Sequence, residues 1–270
     1  MTMIVAVVIP AYNEAATIGD IVRRARRQVE AVIVVDDGSG DDSAAQAEAA
    51  GAVVLRQPIN QGKGASLWHG MQYAVAQGAA AVITLDADGQ HCPEDVPKLA
   101  AASRRQPGRL IIAARLERRE CAPPLRRFAN SMADFWVSWA AGCPIPDTQS
   151  GFRLYPAEFL RQASGPQRGR RGFAFESALL IQAAGQGRYP AVVSIETIYS
   201  AQARPSHYRP WRDTLRIVDL VAWSLLRRGL YPLGLLRSLK LIPLPALNNE
   251  SLVKQEDTGG QHEIAKKPEI

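Results

Sequence analysis

The sequence predicts an α/β fold built on a mostly parallel sheet with helices on both faces. Short apolar runs alternate with helical patterns through the first half of the 270-residue chain, and this alternation is typical of parallel strands joined by crossover helices. Polar motifs follow directly after several of these runs, and ligands of such folds bind at the carboxyl ends of the strands. The length suits one α/β domain followed by an extension rather than two equal domains.

Five apolar runs are predicted to be strands, and the segments between them are predicted to be helices. The strands are expected at Val5–Ile9, Ala31–Asp36, Ala52–Arg56, Ala81–Leu85 and Leu110–Ala114. The helices are expected at Thr17–Gln28, Asp42–Ala50, Ser66–Ala76 and Glu94–Arg104. Thr17 and Asp42 have side chains that suit the N-cap position, so each is expected to begin its helix.

The composition is that of a globular protein that favours anionic partners. Hydrophobic residues make up 47% of the chain, and its net charge of +6 favours nucleotides, phospholipids or nucleic acid. The three cysteines form no C-x-x-C pair, so neither a disulfide framework nor a zinc cluster is expected, and a reducing compartment fits. No apolar run approaches the ~18 to 20 residues that span a bilayer. No basic leader precedes the first strand, so a soluble or peripheral protein without a signal peptide is expected.

The strand predicted at 81–85 ends at two carboxylates that are separated by one alanine. Side chains alternate along an extended chain, so Asp86 and Asp88 are expected to point the same way. Gly89 allows the backbone to turn, and Gln90 and His91 place further oxygen and nitrogen ligands close by. Two same-facing carboxylates form a hard-oxygen site for Mg²⁺ or Mn²⁺ that leaves positions for substrate phosphates. A single Asp-x-Asp is more often a solvated turn, so the metal interpretation depends on the rest of the chain.

Two further motifs follow the first two predicted strands. After the first strand, Pro10 is expected to end the ladder, Tyr12 offers an aromatic face for a base, and Glu14 can accept hydrogen bonds. After the second strand, the glycines of Asp36–Asp41 allow close backbone approach, and a carboxylate there can accept from a base or ribose. Each motif alone is equally compatible with an ordinary turn.

A third motif, Asn60–Gly64, is predicted to form a turn before a helix. It is not a P-loop, because Lys63 is followed by Gly64 rather than by Ser or Thr. The chain also has no G-x-G-x-x-G fingerprint, so the sequence favours neither a P-loop nucleotidase nor a dinucleotide-binding enzyme.

Together, the four motifs resemble family 2 glycosyltransferases with a GT-A fold, in particular the dolichol-phosphate mannosyltransferase and polyprenyl-phosphate glycosyltransferase branch. The resemblance extends over about Ile4 to Tyr199 and is carried by Val8-Ile9-Pro10-Ala11-Tyr12-Asn13-Glu14, Asp36-Asp37-Gly38-Ser39, Asn60-Gln61-Gly62-Lys63-Gly64 and Asp86-Ala87-Asp88-Gly89-Gln90-His91. It implies that the nucleotide sugar is bound by Pro10, Tyr12, Glu14, Val35, Asp37, Asp86, Ala87 and Asp88. It also implies that Asp86, Asp88 and Gln90 coordinate Mg²⁺ or Mn²⁺ at the diphosphate, and a cation there neutralises the charge that develops on the leaving group.

The resemblance also implies residues that bind the acceptor. Arginines at the positions of Arg115 and Arg127 bind the phosphate of a lipid acceptor in the family, a role that suits the paired donors of a guanidinium. Asp147, which opens the motif Asp147-Thr148-Gln149-Ser150-Gly151-Phe152-Arg153, is a candidate base or an orienting carboxylate and, with Asp88, a candidate catalytic residue. Glu176 is expected to fix loops. In the basic loop after Tyr199, Arg204 and Arg209 are expected to close over the phosphates.

The chain is predicted to consist of a domain followed by a C-terminal extension in two parts. Residues 1–199 form the predicted GT-A domain, residues 200–247 a basic loop with amphipathic helices, and residues 248–270 a disordered tail. On the helix expected at Leu215–Leu226, one face holds Arg212, Arg216, Asp219, Trp223 and Arg227, and the remainder is apolar. This pattern fits a helix at the membrane interface, and it equally fits a helix that packs its apolar face on the domain.

The predicted function is a metal-dependent, inverting transfer of a sugar from a UDP- or GDP-linked donor to a lipid-linked acceptor, with a polyprenyl phosphate favoured. The protein is expected to be cytoplasmic, peripheral at the inner face of the cell membrane, and without a nucleic-acid partner. Three alternatives are a family 2 enzyme that acts on a non-phosphate lipid or glycan hydroxyl, a nucleotidyltransferase, and a non-catalytic basic module that binds membrane or nucleic acid. The last explains the charge but gives no role to Asp86, Asp88 and Gln90.

Overall fold

The structure, a computed structural model, describes residues 3–115, 124–166, 172, 174–195 and 210–245, without the side chains of residues 124–126 and 210–214. Seven strands lie within these residues: β1 Val5–Ala11, β2 Ala31–Asp36, β3 Val53–Arg56, β4 Ala81–Thr84, β5 Ile111–Ala114, β6 Arg153–Pro156 and β7 Ala191–Ser194. The helices are α1 Ile18–Arg26, α2 Ser43–Ala49, α3 Lys63–Ala76, α4 Val96–Arg105, α5 Pro124–Ala141, α6 Ala157–Gln162, α7 Ala174–Gly185, α8 Pro210–Leu226 and α9 Pro232–Ser238, and a 3₁₀ turn at Pro93–Asp95 precedes α4.

The strands form one sheet in the order β3-β2-β1-β4-β6-β5-β7. Only β6 runs antiparallel to its neighbours, β4 and β5, so the predicted mostly parallel sheet is confirmed. All five predicted strands are present, with ends shifted by at most two residues. Strands β6 and β7, each four residues long, are not among the predicted strands.

The expectation that Pro10 ends the ladder of β1 is wrong, because β1 continues to Ala11 and pairs with β2 through Ala11 and Asp36. The Asp37 N–H donates to the Ala11 carbonyl at 2.8 Å, so Ala11 bonds on the β2 side. Alternate residues of a strand between two parallel neighbours bond to opposite sides. The missing N–H of Pro10 therefore faces β4, whose pairing with β1 has already ended at Thr84, and the β1–β2 ladder loses nothing.

Helices cover both faces of the sheet, as predicted. One buried cluster joins the sheet to α1, α2 and α4, through residues such as Ile21, Ala47 and Leu99. The other joins it to α3 and to α5 through α8, and includes Met71 and Leu179. The inner parallel strands β1, β2 and β4, together with β5, are thus largely buried on both sides, which explains their continuous apolar runs, whereas the outer strands β3 and β7 are partly exposed.

The C-terminal helix α8 packs one face on the domain and exposes another. Ile217, Leu220, Val221 and Leu225 belong to the main core, whereas Leu215, Val218 and Leu226 are 64%, 54% and 65% exposed. Trp223 of the predicted basic face is also exposed, with the Arg227 guanidinium 5.6 Å from its ring. No helix in the described parts of the chain is long and apolar enough to cross a membrane. The predicted basic loop around 204–209 and the predicted tail at 248–270 lie outside the described residues.

Candidate active site

The polar motifs meet at one edge of the sheet. β2 and β4 flank β1 on opposite sides and run parallel to it, so the chain reverses its direction of strand addition at β1. Such a switch point leaves a crevice at the carboxyl ends of the strands, where α/β proteins bind their ligands. We call the loops after β1, β2 and β4, with the turn before α3, the donor side, because they hold the residues predicted to bind the nucleotide sugar. We call Arg115, Asp147 and α5 the acceptor side, because they hold residues predicted to lie at the acceptor.

Hydrogen bonds hold the loops after β1 and β2 together. The Asn13 N–H donates to Ser39 Oγ at 3.0 Å, and the Gly40 N–H donates to Asn13 Oδ1 at 2.9 Å. Asn13 has a φ of 56°, a left-handed conformation that Asn tolerates better than most residues. The Glu14 N–H donates to Ser43 Oγ at 2.7 Å. These bonds fix Glu14 and its neighbour Tyr12, which remains 37% exposed at the mouth of the crevice.

Asp37 connects the second motif to the third. Its carboxylate accepts the N–H groups of Gln61 and Gly62 at 2.7 and 2.8 Å. Burial raises the pKa of Asp37, and these two hydrogen bonds oppose that rise. The adjacent Asp36 is also buried, and its Oδ1 has no hydrogen-bond partner among the described residues. The sequence predicted no individual role for Asp36, yet its Oδ1 is the buried hydrogen-bond acceptor of this motif that has no partner among the described residues.

Val35 is the predicted nucleotide contact that the structure does not bring into the crevice. It is fully buried, and its side chain faces α3, where a Cβ on Gly70 would lie 2.8 Å from Val35 Cγ2. In a sheet that is covered on both faces, a strand side chain points into a helix layer, and that of Val35 points toward α3 although the residue is the last but one of β2. Ala87 is buried as well, and its carbonyl accepts the Thr17 hydroxyl at 2.7 Å. Thr17 lies at the N-cap position of α1, as predicted, but its hydroxyl makes no side-chain cap and instead ties α1 to the carboxylate turn.

Asp86 carries a buried cation. Lys63, the first residue of α3, places its Nζ 2.7 Å from Asp86 Oδ1 and 3.0 Å from Glu176 Oε2. Burial alone would lower the pKa of Lys63, but the two carboxylates raise it above its usual value, so the ammonium is charged. Burial likewise favours a higher pKa for Asp86, and Lys63 and His91 reverse this to give a lowered one. Asp86 is thus a carboxylate.

Asp88 lies in a setting that favours a second cation. Burial and the negative charge of Asp86 raise the pKa of Asp88, and the Gln90 N–H donates to its Oδ1 at 3.0 Å. A cation stabilises the ionised form of a desolvated carboxylate that lies beside another carboxylate. Within the described residues, no group of three or more His, Cys, Asp or Glu could hold a metal ion. The donor set is therefore two carboxylates with an amide nearby, an all-oxygen set that suits Mg²⁺ or Mn²⁺ with positions left for phosphate oxygens.

Room beside these carboxylates depends on Gly151. A Cβ at this position would lie less than 3.0 Å from both carboxylate oxygens of Asp86, so any other residue would displace that side chain. Arg153, which is 1% exposed, fixes the loop that holds Gly151. Its guanidinium donates to the carbonyls of Ser150 and Thr148, both at 2.7 Å. A third bond, to the Glu176 carbonyl at 2.8 Å, joins this loop to the first turn of α7.

The acceptor side is organised around an ion pair between two predicted site residues. Arg115 donates through Nε and Nη2 to the two oxygens of Asp147, at 2.9 and 2.8 Å, and its N–H donates to Oδ2 at 2.9 Å. Asp134 on α5 accepts the N–H groups of Asp147 and Thr148 at 3.1 and 2.7 Å. This support holds Asp147 in a left-handed conformation with a φ of 53°. The structure therefore brings Arg115 and Asp147 together and fixes both.

The other predicted acceptor residues are spread more widely. Arg127 lies exposed on α5, and Arg204 and Arg209 lie outside the described residues. His91, expected to place a further nitrogen ligand near the carboxylates, is 4% exposed and packs on Phe152 with ring centroids 5.5 Å apart. Burial lowers the pKa of His91 to about 4.

Sequence reasoning missed the roles of Lys63, Gly151, Arg153 and Glu176 in building the site. A signal was present for Lys63, because a charged residue at the start of a helix after β3 must lie at the same edge as the motifs. Glu176 was predicted only to fix loops, because its contact with Lys63 joins residues far apart in the chain and has no local sequence signal.

A mostly parallel α/β sheet with strand-end carboxylates at its switch point defines the GT-A class of fold. A family model described as Glycosyl transferase family 2 matches residues 6–161, and the chain belongs to that family.

Similar proteins include an uncharacterised protein of Methanocaldococcus jannaschii, 31% identical over 72% of this chain and 81% of its own length. The undecaprenyl-phosphate mannosyltransferase of Micrococcus luteus is 27% identical over 84% of this chain and 96% of its own. Among solved structures, glucosyl-3-phosphoglycerate synthase from Mycobacterium tuberculosis, in complex with Mn²⁺, UDP and phosphoglyceric acid, has a TM-score of 0.61. It is 26% identical, with 85% of this chain and 80% of that chain covered.

Proposed function

We propose that this enzyme transfers a sugar, with inversion, from a nucleotide-diphosphate sugar to a polyprenyl phosphate at the inner face of the cell membrane, with Mg²⁺ or Mn²⁺ as cofactor. The observation that carries the proposal is the pair of carboxylates Asp86 and Asp88 at the switch point of the sheet. The Lys63 ammonium is already paired with Asp86. The relative that transfers mannose to undecaprenyl phosphate and the neighbour that binds Mn²⁺ with UDP support it.

On the donor side, Tyr12 and Glu14 would receive the base and ribose. Their loop is fixed in advance by bonds to Ser39 and Ser43, which lowers the ordering cost of binding. Asp36, with its buried and unpartnered oxygen, joins Asp37 as an acceptor for nucleotide donors. Pro10, the last residue but one of β1, would line the floor of the crevice at the same edge of the sheet.

The metal would be held by Asp86 and Asp88, with Gln90 as a further ligand. When bound, a divalent cation neutralises the charge that develops on the departing nucleoside diphosphate. Gly151 keeps the space beside Asp86 open. Lys63 remains charged at the site, so the chain itself also contributes positive charge close to the diphosphate.

On the acceptor side, Arg115 presents a guanidinium that Asp147 orients through two bonds. This pairing favours the orienting role of Asp147 over the role of base, because a phosphate acceptor is already anionic and needs no proton removed. The acceptor oxygen forms its bond to the anomeric carbon as the bond to the diphosphate breaks, which inverts the configuration. Arg127, Arg204 and Arg209 are further candidates for the acceptor phosphate.

A turnover assay with separate acceptors tests this proposal. The purified chain is incubated with UDP- and GDP-sugars and Mn²⁺, in the presence of polyprenyl phosphate, phosphoglycerate or a lipid with only hydroxyl groups. We expect release of UDP or GDP and a glycosylated lipid with polyprenyl phosphate alone, and loss of both with a chelator. Turnover on phosphoglycerate or on the hydroxyl lipid instead would overturn the proposed acceptor. Full activity in chelator would overturn the metal.

A further inference from the structure

We infer that Lys63 has two positions in the reaction cycle, and that Glu176 is the positioning residue that receives it when a divalent cation takes Asp86. The inference rests on the proposed metal site and adds a role for a carboxylate on α7. Its basis is one ammonium shared by two carboxylates, at 2.7 Å from Asp86 Oδ1 and 3.0 Å from Glu176 Oε2.

Lys63 and a metal ion cannot both lie close to Asp86 Oδ1 without cost. Two positive charges at contact distance repel strongly where water is scarce, and the Lys63 side chain is only 17% exposed. The lysine also cannot simply leave, because a buried ammonium that loses its partner pays a large desolvation cost. A second carboxylate within reach removes this conflict.

Glu176 has the properties of such a receiver. Its side chain is 6% exposed, and its Oε1 is buried without a hydrogen-bond partner among the described residues. It lies in the first turn of α7, where the helix dipole stabilises a negative charge. The Arg153 guanidinium donates a hydrogen bond to the Glu176 carbonyl. Glu176 therefore stays in place while the flexible side chain of Lys63 moves toward it by a small rotation.

The charges at the site lead to a specific expectation. With Glu176 present, a metal ion that binds Asp86 shifts Lys63 onto a carboxylate. With Glu176→Gln, one of the two carboxylates that contact Lys63 is lost, so the metal ion and the ammonium compete directly for Asp86. We therefore expect the variant to bind Mn²⁺ about tenfold more weakly in the absence of any nucleotide.

We call the movement of Lys63 from Asp86 to Glu176 the relay. A double-mutant cycle on Mn²⁺ binding distinguishes the relay from a simple loss of negative charge at position 176. The dissociation constant is measured by calorimetry, without nucleotide, for the wild type, Glu176→Gln, Lys63→Met and the double variant. The relay predicts that Glu176→Gln weakens binding about tenfold with Lys63 present and less than about threefold in the Lys63→Met background. An equal penalty in both backgrounds overturns it.

Matched controls keep the result interpretable. Glu158 on α6 pairs with Arg188 and follows β6, whose end lies at the opposite edge of the sheet from the site, so Glu158→Gln should leave Mn²⁺ binding unchanged. If Lys63→Met fails to fold in a thermal melt, Lys63→Gln supplies the background, because its amide can still donate to Glu176. A wild type that binds no Mn²⁺ contradicts the proposed metal site itself, whereas binding that Glu176→Gln leaves unchanged contradicts only the relay.

Discussion

The donor side and the acceptor side of this enzyme are built in different ways. On the donor side, the residues come from consecutive strand ends, and local hydrogen bonds such as that from the Asn13 N–H to Ser39 join neighbouring loops. On the acceptor side, Arg115 after β5 is paired with Asp147, and Asp147 is held in turn by Asp134 of α5. The donor side thus follows from the order of strands in the sheet, whereas the acceptor side depends on side chains that reach across the fold.

This difference predicts where a single change does most damage. Loss of a donor-side carboxylate should abolish the chemistry and spare the fold, since strand-end side chains contribute little packing. Loss of an acceptor-side residue should affect one substrate selectively. The four predictions below test that division, from the largest expected effect to the smallest.

Asp88→Ala removes one charged member of the proposed metal shell. We expect turnover to fall about a thousandfold, because one such ligand contributes several kcal/mol of transition-state stabilisation. The thermal melting temperature should stay close to that of the wild type, and kcat measured across a Mn²⁺ titration is the decisive quantity. Near wild-type activity in a folded Asp88→Ala protein would show that the carboxylate pair is not the catalytic centre.

Gly151→Ala tests whether the Asp86 carboxylate needs the space that Gly151 leaves beside it. The new Cβ would lie less than 3.0 Å from both Asp86 oxygens, so we expect weaker Mn²⁺ binding and a fall in kcat of about 10- to 100-fold. Gly185→Ala at the end of α7 is the matched control, because nothing lies within 4 Å of its added Cβ. If both variants retain full activity and Mn²⁺ affinity, Asp86 has room to move and Gly151 is not needed as a spacer.

The same division explains how much of this molecule the sequence predicts. The parallel strands follow from apolar runs that alternate with helical patterns, and the strand-end positions of Asp86 and Asp88 follow from where the fourth run stops. Strand β6 could not be found in this way, because its partners β4 and β5 precede it in the chain and its register is set by tertiary packing. Lys63 lay in a recognised motif but had no predicted role, since its pairing with Glu176 is a contact between distant segments. The side chain of Val35, a nucleotide contact that the family resemblance implies, lies in the core, and its role stays a prediction.

Arg127→Ala tests the selectivity expected of the acceptor side. Arg127 is exposed on α5, so its loss should raise the apparent KM for polyprenyl phosphate about tenfold and that for the nucleotide sugar less than about twofold. Arg105→Ala on α4, which packs on the other face of the sheet, supplies an equally exposed control. A parallel rise in both KM values, or in neither, means that Arg127 does not bind the acceptor.

The smallest expected effect concerns the exposed apolar face of α8. Leu215, Val218 and Leu226 are at least half exposed at three- to eight-residue spacing, and Phe128 and Trp136 on α5, which packs against α8, are exposed as well. We propose that this face enters the membrane interface, where apolar burial adds to the attraction of basic side chains for anionic lipid. Truncation of α8 is unsuitable as a test, because it would also remove four core residues such as Leu220.

Substitution of all three α8 residues by Gln should therefore reduce co-sedimentation with anionic vesicles several-fold, while turnover on a detergent-dispersed acceptor stays unchanged. A matched triple variant carries Gln at Ile4, Val53 and Ile59, which are 61%, 46% and 68% exposed in the N-terminal part of the chain. It should sediment like the wild type. Binding of the wild type should weaken with salt but persist, because salt screens the charged contacts and leaves the apolar ones intact. Equal sedimentation of the two triple variants would mean that the exposed face of α8 does not carry the membrane contact.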